Sequence, residues 1–483
     1  MASFMTSLKE YPELCLLRDL VRRKKLKTWL VGGFLRDLFL EREGHDFDFA
    51  VEKDAVRLAR AFAKKVHGAF VLLDEEHGCA RVARKKAGRL WTFDFADLRA
   101  RTLRADLIKR DFTVNTFALD LSALSLDEPF TGAVLRNTRA RADLATGTLR
   151  MASVRAFKDD PLRLLRAYSL AAQLGFTIDP ATKKAVKAQT SLIREVSPER
   201  VREELFKILE SPRAAATLKT MDKDGMLFTI IPQLRVMEKV HQGVYHHLDV
   251  WRHSLEVVKQ LEKLLEELKD DPDLAVYLNE EIAGGHSRKA VIKLACLLHD
   301  IGKPDTRKKE PGGRTSFHGH EHVGRRISRI VARNLMLSSR ERYALEDMVT
   351  CHLRPGYLSN FKKPSERAVF RFFRDVKEEA VATLLLSMAD QRSTRGPLTT
   401  DYDVKHHEQI AFPLMAAYFH KRKEKPLVRL VTGHDLIKVL KMKPGPQFAG
   451  ILGAVEEAQH LGKVATKEEA LLLARKMAGE GKS

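Results

Sequence analysis

Hydrophobic and polar positions follow two different periods along this chain. Up to about residue 150, short apolar runs with the length and composition of β-strands are interspersed with helical stretches. The strand predictions are Thr28–Val31, Phe47–Val51, Ala69–Leu73, Trp91–Ala96 and Val114–Leu119. Beyond about residue 150, apolar residues recur every three or four positions, which predicts helices. The pattern therefore predicts an α+β fold, with a small α/β head followed by an all-α remainder.

Helix-capping residues mark where several of these helices begin. A capping hydroxyl followed by proline, Ser197-Pro198, is a typical helix start. A second long helix is expected from about Asp249, because apolar residues follow it at helical spacing. Thr466 and Glu469 have the spacing of a capping box, a reciprocal pair of hydrogen bonds at a helix N-terminus.

Length, charge and cysteine content narrow the class of protein. The 483 residues predict about two to four domains. The formal net charge of +21 favours a polyanionic partner, because phosphates neutralised by Lys and Arg release counterions. The four cysteines form no CxxC pair, so neither a disulfide framework nor a thiolate zinc site is indicated. With no signal-peptide stretch and no apolar run of bilayer length, we expect a cytoplasmic protein without membrane contact.

A glycine-rich turn carries the first candidate chemistry. Gly32-Gly33 follows the first predicted strand directly, and Arg36-Asp37 follows on the next helical turn. Two glycines let backbone N–H groups approach phosphate oxygens closely near a helix N-terminus. Arg36 can place its guanidinium fork against a triphosphate. The segment therefore predicts a nucleotide-binding turn.

Carboxylates stand on one face of the next predicted strand. Asp46 and Asp48 flank Phe47, and residues i and i+2 of a strand point to the same face. Together they could hold two divalent ions, which can activate an attacking 3′-hydroxyl and stabilise a leaving pyrophosphate. Asp94, on a later strand, is the predicted third carboxylate. A lone DxD is usually a solvated strand end, so this prediction depends on the ordered set of motifs.

That ordered set resembles the class II tRNA nucleotidyltransferase and bacterial poly(A) polymerase family. Residues 109–115, KRDFTVN, are similar to the family's RRDFTxN segment, with Lys109 in place of the first Arg. The resemblance implies that Asp111 contacts the nucleotide sugar and that Arg110 helps to hold the phosphates or the base, with Asn115 in the same nucleotide-binding segment. It also implies a polymerase β-like nucleotidyltransferase head.

Residues 159–166, DDPLRLLR, resemble the family's EDxxR element, with Asp159 replacing Glu. Asp160 and Arg163 are three residues apart, so we expect them on one helix face. Cytosine and adenine both offer an amino donor beside a ring-nitrogen acceptor, which a fixed carboxylate and guanidinium complement. Uracil and guanine would leave buried groups unpaired. The protein would then act as the template, with Arg166 as a further nucleotide-binding residue; the alternative is a surface ion pair.

The helical part carries a second constellation of histidine and aspartate residues: His253, His299-Asp300, His320, His352 and Asp390. Several lie in segments that otherwise read as buried, and burying so many polar groups is costly unless they share a partner such as a divalent ion. Their order is similar to that of the HD phosphohydrolase superfamily. The resemblance implies hydrolysis of phosphomonoesters or 2′,3′-cyclic phosphates by a metal-activated water.

The two resemblances imply a four-part chain. The expected parts are a head over 1–150, a helical neck with the base-reading pair over 151–230, an HD body over 231–400 and a helical tRNA-binding tail over 401–483. The implied partners are CTP, with ATP left open, and tRNA, contacted along its acceptor and T arms by shape and backbone. Mg²⁺ is expected at the head, and Mn²⁺, Ni²⁺ or a similar ion at the body.

Four activities share such a head: CCA addition, CC addition, A addition and poly(A) synthesis. Family members that add the terminal A carry a flexible loop between the strand ending near Arg99 and the RRD-like segment. Here Ala100 to Ile108 leave only nine intervening residues, which is similar to the CC-adding branch. CC addition is therefore the favoured prediction, and the other three activities stay open.

A different class of protein also stays open. The head could be degenerate and the HD body the working part, which would make the chain a metal-dependent phosphohydrolase that only binds RNA. The intact Asp46, Asp48, Arg110 and Asp111 argue against this alternative.

Overall fold

The computed structural model describes residues 8–124, 134–135, 138–243, 245–312, 314–424 and 428–480. The chain forms two compact units. One holds the chain up to Ile208 together with Met221–Ile230, and the other holds Leu209–Thr220 and the chain from Ile231 onward. No helix among the described residues has the length and apolar character needed to cross a membrane.

The strands, numbered in chain order, are β1 (Thr28–Val31), β2 (Asp46–Val51), β3 (Ala69–Asp74), β4 (Cys79–Lys86), β5 (Arg89–Asp97), β6 (Ala118–Asp120), β7 (Val134–Leu135), β8 (Thr148–Leu149), β9 (Thr177–Ile178), β10 (Glu281–Ala283), β11 (His286–Ser287), β12 (Lys308–Lys309) and β13 (Thr315–Ser316). The helices up to residue 230 are α1 (Pro12–Lys24), α2 (Gly33–Phe39), α3 (Ala55–Val66), α4 (Leu103–Ile108), α5 (Thr138–Ala145), α6 (Ala156–Asp159), α7 (Leu162–Leu174), α8 (Pro180–Ala188), α9 (Pro198–Glu210), α10 (Ala214–Lys223) and α11 (Met226–Ile230).

The helices beyond residue 230 are α12 (Val250–Glu267), α13 (Pro272–Asn279), α14 (Arg288–Leu298), α15 (Lys303–Thr306), α16 (His320–Asn334), α17 (Ser339–Cys351), α18 (Arg354–Ser359), α19 (Glu366–Val376), α20 (Ala380–Ser393), α21 (Asp401–Lys423), α22 (Gly433–Lys438), α23 (Gln447–His460) and α24 (Lys467–Glu480). Short 3-10 helices lie at Leu8–Glu10, Thr113–Asn115, Thr190–Glu195, Pro232–Met237 and Lys377–Glu379.

The first unit is built on a mixed seven-stranded sheet in the order β3-β4-β5-β2-β1-β6-β7. Within it, β2 and β5 run parallel, and their register pairs Asp48 with Asp94. Alternation along β2 buries Phe47 and Phe49 on one face and turns the aspartates to the other. The α+β prediction is confirmed.

Helices α1 and α3 cover the apolar face of this sheet. Leu17 of α1 and Phe62 of α3 belong to the same buried cluster as the β2 phenylalanines. Phe47 stacks on Phe93 with ring centroids 5.0 Å apart, and Phe49 stacks on Phe95 at 4.8 Å. This aromatic layer gives β2 and β5 a rigid support, so the carboxylates on the opposite face are held at a fixed spacing.

One strand prediction for the head was wrong, and one long strand was not predicted. Val114–Leu119 is not a single strand: Thr113–Asn115 form a 3-10 turn, and the strand begins only at Ala118. The reason is side-chain bonding to the backbone, since the Thr116 hydroxyl donates to the Thr113 carbonyl at 2.7 Å. Strand β4 was not predicted at all, because its basic run Arg84–Lys86 lowers its apparent strand character.

The predicted helix starts are confirmed. Helix α9 begins at Pro198, and α12 begins after Asp249, whose carboxylate accepts from the Arg252 N–H at 2.8 Å. At α24, the Thr466 and Glu469 groups exchange both capping-box hydrogen bonds. These caps satisfy backbone N–H groups that the first turn leaves unpaired.

In the second unit, two helices are buried on nearly every side. Almost all of α14 and most of α20 are shielded from solvent, and both pack on α12. His299 directly follows the last residue of α14, and α20 carries Asp390 in its last turns. The packing of these helices therefore carries polar side chains into the middle of an apolar core.

Candidate active site and metal centre

Three carboxylates of the head lie on one face of β2 and β5. Asp46 and Asp48 alternate with the buried Phe47, and parallel pairing sets Asp94 beside Asp48. The Thr92 hydroxyl donates to Asp46 Oδ1 at 2.5 Å, which fixes one oxygen of that carboxylate. The predicted set of three is thus brought together by strand register alone.

The charge balance around Asp48 favours a bound cation. Partial removal from solvent raises the pKa of Asp48; Asp94 and Asp46 raise it further, against the opposing charges of Arg110 and Arg166. Clustered carboxylates are relieved by a divalent ion, so the donor set fits the metal that the sequence implied.

Arg81, on the unpredicted strand β4, holds the third carboxylate. It stands directly across the ladder from Asp94, and its Nε and Nη2 each donate to one Asp94 oxygen at 2.7 Å. A bidentate pair of this kind fixes both position and orientation. Arg81 was not predicted as a site residue because β4 was not predicted; the available signal was a basic residue facing Asp94 in an antiparallel pair.

The glycine turn approaches the carboxylates closely. Gly32 has φ +83°, and a Cβ at this position would lie 2.9 Å from Asp48 Oδ2. Only glycine adopts this conformation readily and leaves room for the carboxylate. At Gly33, a Cβ would come no closer than 3.4 Å, to the end of the Arg36 side chain.

Arg36 donates its hydrogen bonds to other residues of the head. Its Nε and Nη2 donate to Asp37 at 2.9 and 2.8 Å, and its Nη1 donates to Asn115 Oδ1 at 2.7 Å. In this structure Arg36 fixes the orientation of Asn115. Its contact with a triphosphate stays a prediction.

A chain of buried polar groups continues from Asn115. The Asn115 amide donates to Asp111 Oδ1 at 2.9 Å, and Arg166 Nη2 donates to Asp111 Oδ2 at 2.8 Å. Burial by itself would raise the pKa of Asp111, but Arg166 and the Asn115 hydrogen bond lower it to about 2. Glu204, a residue that sequence reasoning missed, lies 3.5 Å from Arg166 Nη1.

The basic pair before Asp111 has two different environments. Lys109 Nζ donates to the Arg99 carbonyl at 2.6 Å, which closes the segment between them. The Arg110 side chain is mostly buried, with Nε 3.8 Å from Asp106 Oδ2, and its burial lowers its pKa. Arg110 thus brings positive charge to the edge of the carboxylate cluster.

The predicted base-reading pair is arranged differently from the expectation. Asp160 does not share a helix with Arg163: it lies in extended backbone between α6 and α7, with φ −151°. The two side chains still meet, with Arg163 Nε 3.9 Å from Asp160 Oδ2. Arg163 Nη1 also donates to the Ala156 carbonyl at 3.1 Å, and Arg200, another missed residue, donates to both Asp160 oxygens.

All of the predicted head residues line one cleft of about 870 Å³. They are Gly32, Gly33, Arg36, Asp37, Asp46, Asp48, Asp94, Arg110, Asp111, Asn115, Asp160, Arg163 and Arg166. Further basic residues that sequence reasoning did not single out, Arg99, Arg200 and Lys207, line the same cleft. The cleft therefore combines a carboxylate cluster with a strongly basic wall.

The six predicted ligands of the HD body form two compact groups. The first is His253, His299 and Asp390, and the second is Asp300, His320 and His352, with ligand atoms within 4.8 Å of one another in each. His253 Nε2 lies 2.8 Å from Asp390 Oδ1, and His320 Nε2 lies 3.3 Å from Asp300 Oδ1.

Backbone carbonyls orient three of these imidazoles. The Nδ1 atoms of His299, His320 and His352 lie 2.9, 2.8 and 2.7 Å from the carbonyl three residues earlier in each case. An Nδ1–H donated outward leaves the Nε2 lone pair pointing inward, as in metal-ligating histidines. Burial lowers the pKa of His352 to about 3, which keeps this imidazole neutral.

The residues present fit a bound divalent ion. The buried Nε2 of His299 makes no hydrogen bond of good geometry among the described residues, although Asp300 Oδ2 lies 3.2 Å away, and an ion between them would relieve this costly state. Two residues that the sequence did not single out complete the surroundings. Lys303 Nζ lies 2.6 Å from Asp300 Oδ2, and the ring of the half-buried His246 lies 4.9 Å from that of His253.

These features define the class of the protein. Carboxylates on two parallel strands, a basic cleft beside them and a helical unit with clustered His and Asp side chains are the features of a nucleotidyltransferase that carries an HD domain. Both kinds of domain generally depend on divalent metals.

Four family models match successive parts of the chain, from the head to the C-terminal part. They are the poly A polymerase head domain over 28–150, the "Probable RNA and SrmB-binding site of polymerase A" over 175–237, the HD domain over 250–395 and the tRNA nucleotidyltransferase domain 2 over 421–474. With relatives that align over nearly the whole chain, the chain belongs to the tRNA nucleotidyltransferase family.

The relatives have different nucleotide specificities. The chain is 34% identical to an A-adding tRNA nucleotidyltransferase of Deinococcus radiodurans, covering 93% of this chain and 95% of that one. It is 31% identical to a CC-adding tRNA nucleotidyltransferase of Thermus thermophilus, covering 91% of each. Among solved structures, the Thermotoga maritima CCA-adding enzyme complexed with tRNA has the same fold, with 19% identity, a TM-score of 0.60 and coverage of 99% and 97%.

Proposed function

We propose that this chain adds cytidines without a nucleic-acid template to the 3′ end of tRNA, using CTP, and that it stops after two. The observation that carries the proposal is the single cleft that collects the carboxylates, the Asp111 segment and the Asp160–Arg163 pair. Family membership supports the tRNA substrate.

Asp46 and Asp48 are the proposed ligands for Mg²⁺ in the head, with Asp94 as the third carboxylate. When bound, the metal supplies charge that activates the 3′-hydroxyl and stabilises the leaving pyrophosphate. The chain's own contribution is positioning. Asp111, fixed by Asn115 and Arg166, is the proposed contact to the nucleotide sugar, and Arg110 supplies charge for the phosphates.

Asp160 and Arg163 are the proposed readers of the base. A carboxylate accepts from the exocyclic amino group and a guanidinium donates to the ring nitrogen, an arrangement that cytosine and adenine satisfy and uracil does not. Arg200 and the Ala156 carbonyl hold these two side chains in the cleft before any nucleotide is present. This preorganisation lowers the entropic cost of selecting the base.

The segment before the Asp111 motif supports CC addition. Residues 103–108 form the short helix α4, capped by Thr102, whose hydroxyl accepts from the Ala105 N–H at 3.3 Å. The Asp106 carboxylate accepts a hydrogen bond from the Arg99 N–H at 3.0 Å, and Lys109 Nζ donates to the Arg99 carbonyl. Because these hydrogen bonds restrain α4, the segment has little freedom to change the pocket from one that accepts cytosine to one that accepts adenine.

A addition is the second candidate, because a relative 34% identical over nearly the whole chain is an A-adding enzyme. The test is extension at single-nucleotide resolution of a tRNA lacking CCA and of a matched tRNA ending in CC. Each is supplied with CTP, with ATP and with both. Two cytidines and no adenosine on the first tRNA support CC addition.

The other outcomes assign the alternatives. One adenosine, added only to the tRNA ending in CC, establishes A addition, and CCA in the mixed reaction means that the inference from α4 is wrong. Long ATP-dependent tails on either tRNA indicate poly(A) synthesis. No extension under any condition shifts the function to the HD body.

The HD body is proposed to bind Mn²⁺, Ni²⁺ or a similar ion through its six ligands. Hydrolysis of phosphomonoesters or 2′,3′-cyclic phosphates is the activity that this centre would support, and the two adjoining ligand groups are the observation that favours it. The test is release of phosphate from p-nitrophenyl phosphate and opening of 2′,3′-cyclic AMP with each metal. Activity that persists in Asp390→Asn would exclude the body as its source.

A further inference from the structure

A second basic cleft lies on the head, between the end of α1 and the outer surface of α3. Its charged lining residues are Lys24, Asp54, Arg57, Arg60 and Lys64, and its volume is about 500 Å³. All five side chains are exposed. Four cations and one carboxylate give this α1–α3 cleft a strong positive charge.

The helical spacing concentrates that charge. Arg57, Arg60 and Lys64 fall at positions i, i+3 and i+7, so they project from one side of α3, while Leu58 and Phe62 bury the other. Like charges at this spacing repel one another and destabilise a helix unless an anion lies between them.

The cleft cations lack acidic partners. Among the described residues, none of the four has a carboxylate within 4.0 Å; Arg60 contacts the Phe70 ring, with its guanidinium carbon 5.0 Å from the ring centroid. By contrast, the half-buried Lys86 of the same sheet is paired with Glu13 at 2.9 Å. The four cations of the α1–α3 cleft therefore have no ion-pair partner in the part of the chain that the structure describes.

The cleft faces away from the nucleotidyltransferase site. Helices α1 and α3 cover the face of the sheet that carries Phe47 and Phe49, whereas Asp46 and Asp48 project from the opposite face. An RNA end placed at the carboxylates lies on the far side of the sheet from α3. The cleft is thus separate from the addition site.

We propose that the α1–α3 cleft binds the phosphodiester backbone of structured RNA. Lys and Arg side chains neutralise backbone phosphates without reading sequence. No aromatic side chain lines the described cleft, so it lacks the stacking platform used by sites for unpaired bases. The ligand is therefore a helical RNA segment other than the end that is extended at the carboxylates.

The test compares the full-length protein with the triple variant Arg57→Gln/Arg60→Gln/Lys64→Gln. The probe is a fluorescently labelled, blunt RNA duplex with blocked 3′ ends, and its affinity is measured by anisotropy over a series of salt concentrations. The variant is expected to bind about tenfold more weakly, with a log–log salt slope smaller by about 2. Cytidine addition to tRNA at saturating tRNA should be unchanged and serves as the check on folding.

A matched control removes the same charge elsewhere. Lys259→Gln/Lys269→Gln/Lys423→Gln also lowers the net charge by three, at exposed lysines paired with carboxylates in the second unit. It is expected to bind the duplex nearly as tightly as the unchanged protein. Equal losses in the two triple variants would show an effect of net charge and overturn the proposal.

Inorganic phosphate and pyrophosphate distinguish a small phosphate ligand from RNA. One outcome is that either anion raises the thermal stability of the wild-type protein but not of the cleft variant, while the two proteins bind the duplex equally. In that case the cleft is a small-anion site and the RNA proposal is wrong. Unchanged duplex affinity and salt slope in the cleft variant overturn it as well.

Discussion

At the residue scale, Asp111 shows how a buried charge is kept in the head. One of its oxygens accepts from Asn115 and from the Phe112 N–H, and the other accepts from Arg166. A buried carboxylate costs free energy unless such partners compensate it. The depressed pKa is the signature of that compensation.

Replacing Asp111 with Asn should destabilise the head in a pH-dependent way. The folded-state pKa of about 2 lies below the value of 3.8 for the unfolded chain, so the charge contributes about 2 kcal/mol above pH 4. That contribution is lost as the pH falls from 4 toward 2. Urea unfolding at several pH values, in a Trp251→Phe background, isolates the fluorescence of Trp29 and Trp91.

In that series, the difference in unfolding free energy between the unchanged protein and the Asp111→Asn variant should be constant above pH 5 and shrink below pH 4. A difference that does not change with pH would contradict the assignment of the stabilisation to the ionised carboxylate.

The three carboxylates of the head are expected to differ in importance. Asp48→Asn removes a proposed metal ligand and should lower cytidine incorporation about a thousandfold, as a loss of several kcal/mol implies. Asp94→Asn should cost less, about tenfold, because Arg81 already occupies both oxygens of that carboxylate. Single-turnover incorporation of labelled CMP measures both.

The matched control is Asp120→Asn, on β6 of the same sheet, outside the lining of the cleft. It should retain normal incorporation. If Asp48→Asn retained incorporation, the head would not be the site of nucleotide addition.

At the element scale, the turn from β1 to α2 depends on one of its two glycines. Gly32→Ala requires a positive φ and brings a Cβ within 2.9 Å of Asp48, so it should lower stability by about 1–2 kcal/mol and reduce incorporation strongly. Gly33 does not have a positive φ, and the Cβ of Gly33→Ala would contact only the flexible end of the Arg36 side chain. This variant is the matched control and should be nearly neutral.

Thermal unfolding and CMP incorporation by the two alanine variants check this prediction. Equal effects of the two substitutions would mean that φ and the approach to Asp48 do not govern the turn.

Some helices and strands could be predicted from sequence patterns and others could not. Caps and apolar periods predicted the starts of α9, α12 and α24, because those signals are local to the chain. The strand β4 and the 3-10 turn at Thr113–Asn115 were missed or misplaced. Strand β4 is defined by its ladder with β5, and the 3-10 turn is held by the Thr116 hydroxyl together with the network around Asp111, which extends to the distant Arg166.

At the scale of the whole molecule, the nucleotidyltransferase cleft and the candidate HD metal centre belong to different units. Two sites in separate units should respond separately to mutation. His299→Ala should therefore lower the metal content of the purified protein, measured by elemental analysis, while Mg²⁺-supported cytidine addition continues. Asp48→Asn should lower cytidine addition while the metal content of the HD body is retained.

Loss of both metal content and incorporation in His299→Ala, with retained circular dichroism, would show that the two centres are coupled and would contradict this independence. The same protein treated with a chelator and then supplied with Mg²⁺ alone provides a second comparison.

The sequence by itself determined the family, the α+β division and the identities of the carboxylates, glycines and His-Asp motifs at the centre of both sites. It could do so because glycine turns, carboxylate alternation and His-Asp motifs are local patterns with a chemical meaning. Only the tertiary structure decided that Arg81 holds Asp94, that Arg200 of α9 holds Asp160, and that the six predicted ligands divide into two groups. These arrangements join side chains far apart in the chain, so they depend on strand register and helix packing, which no local pattern encodes.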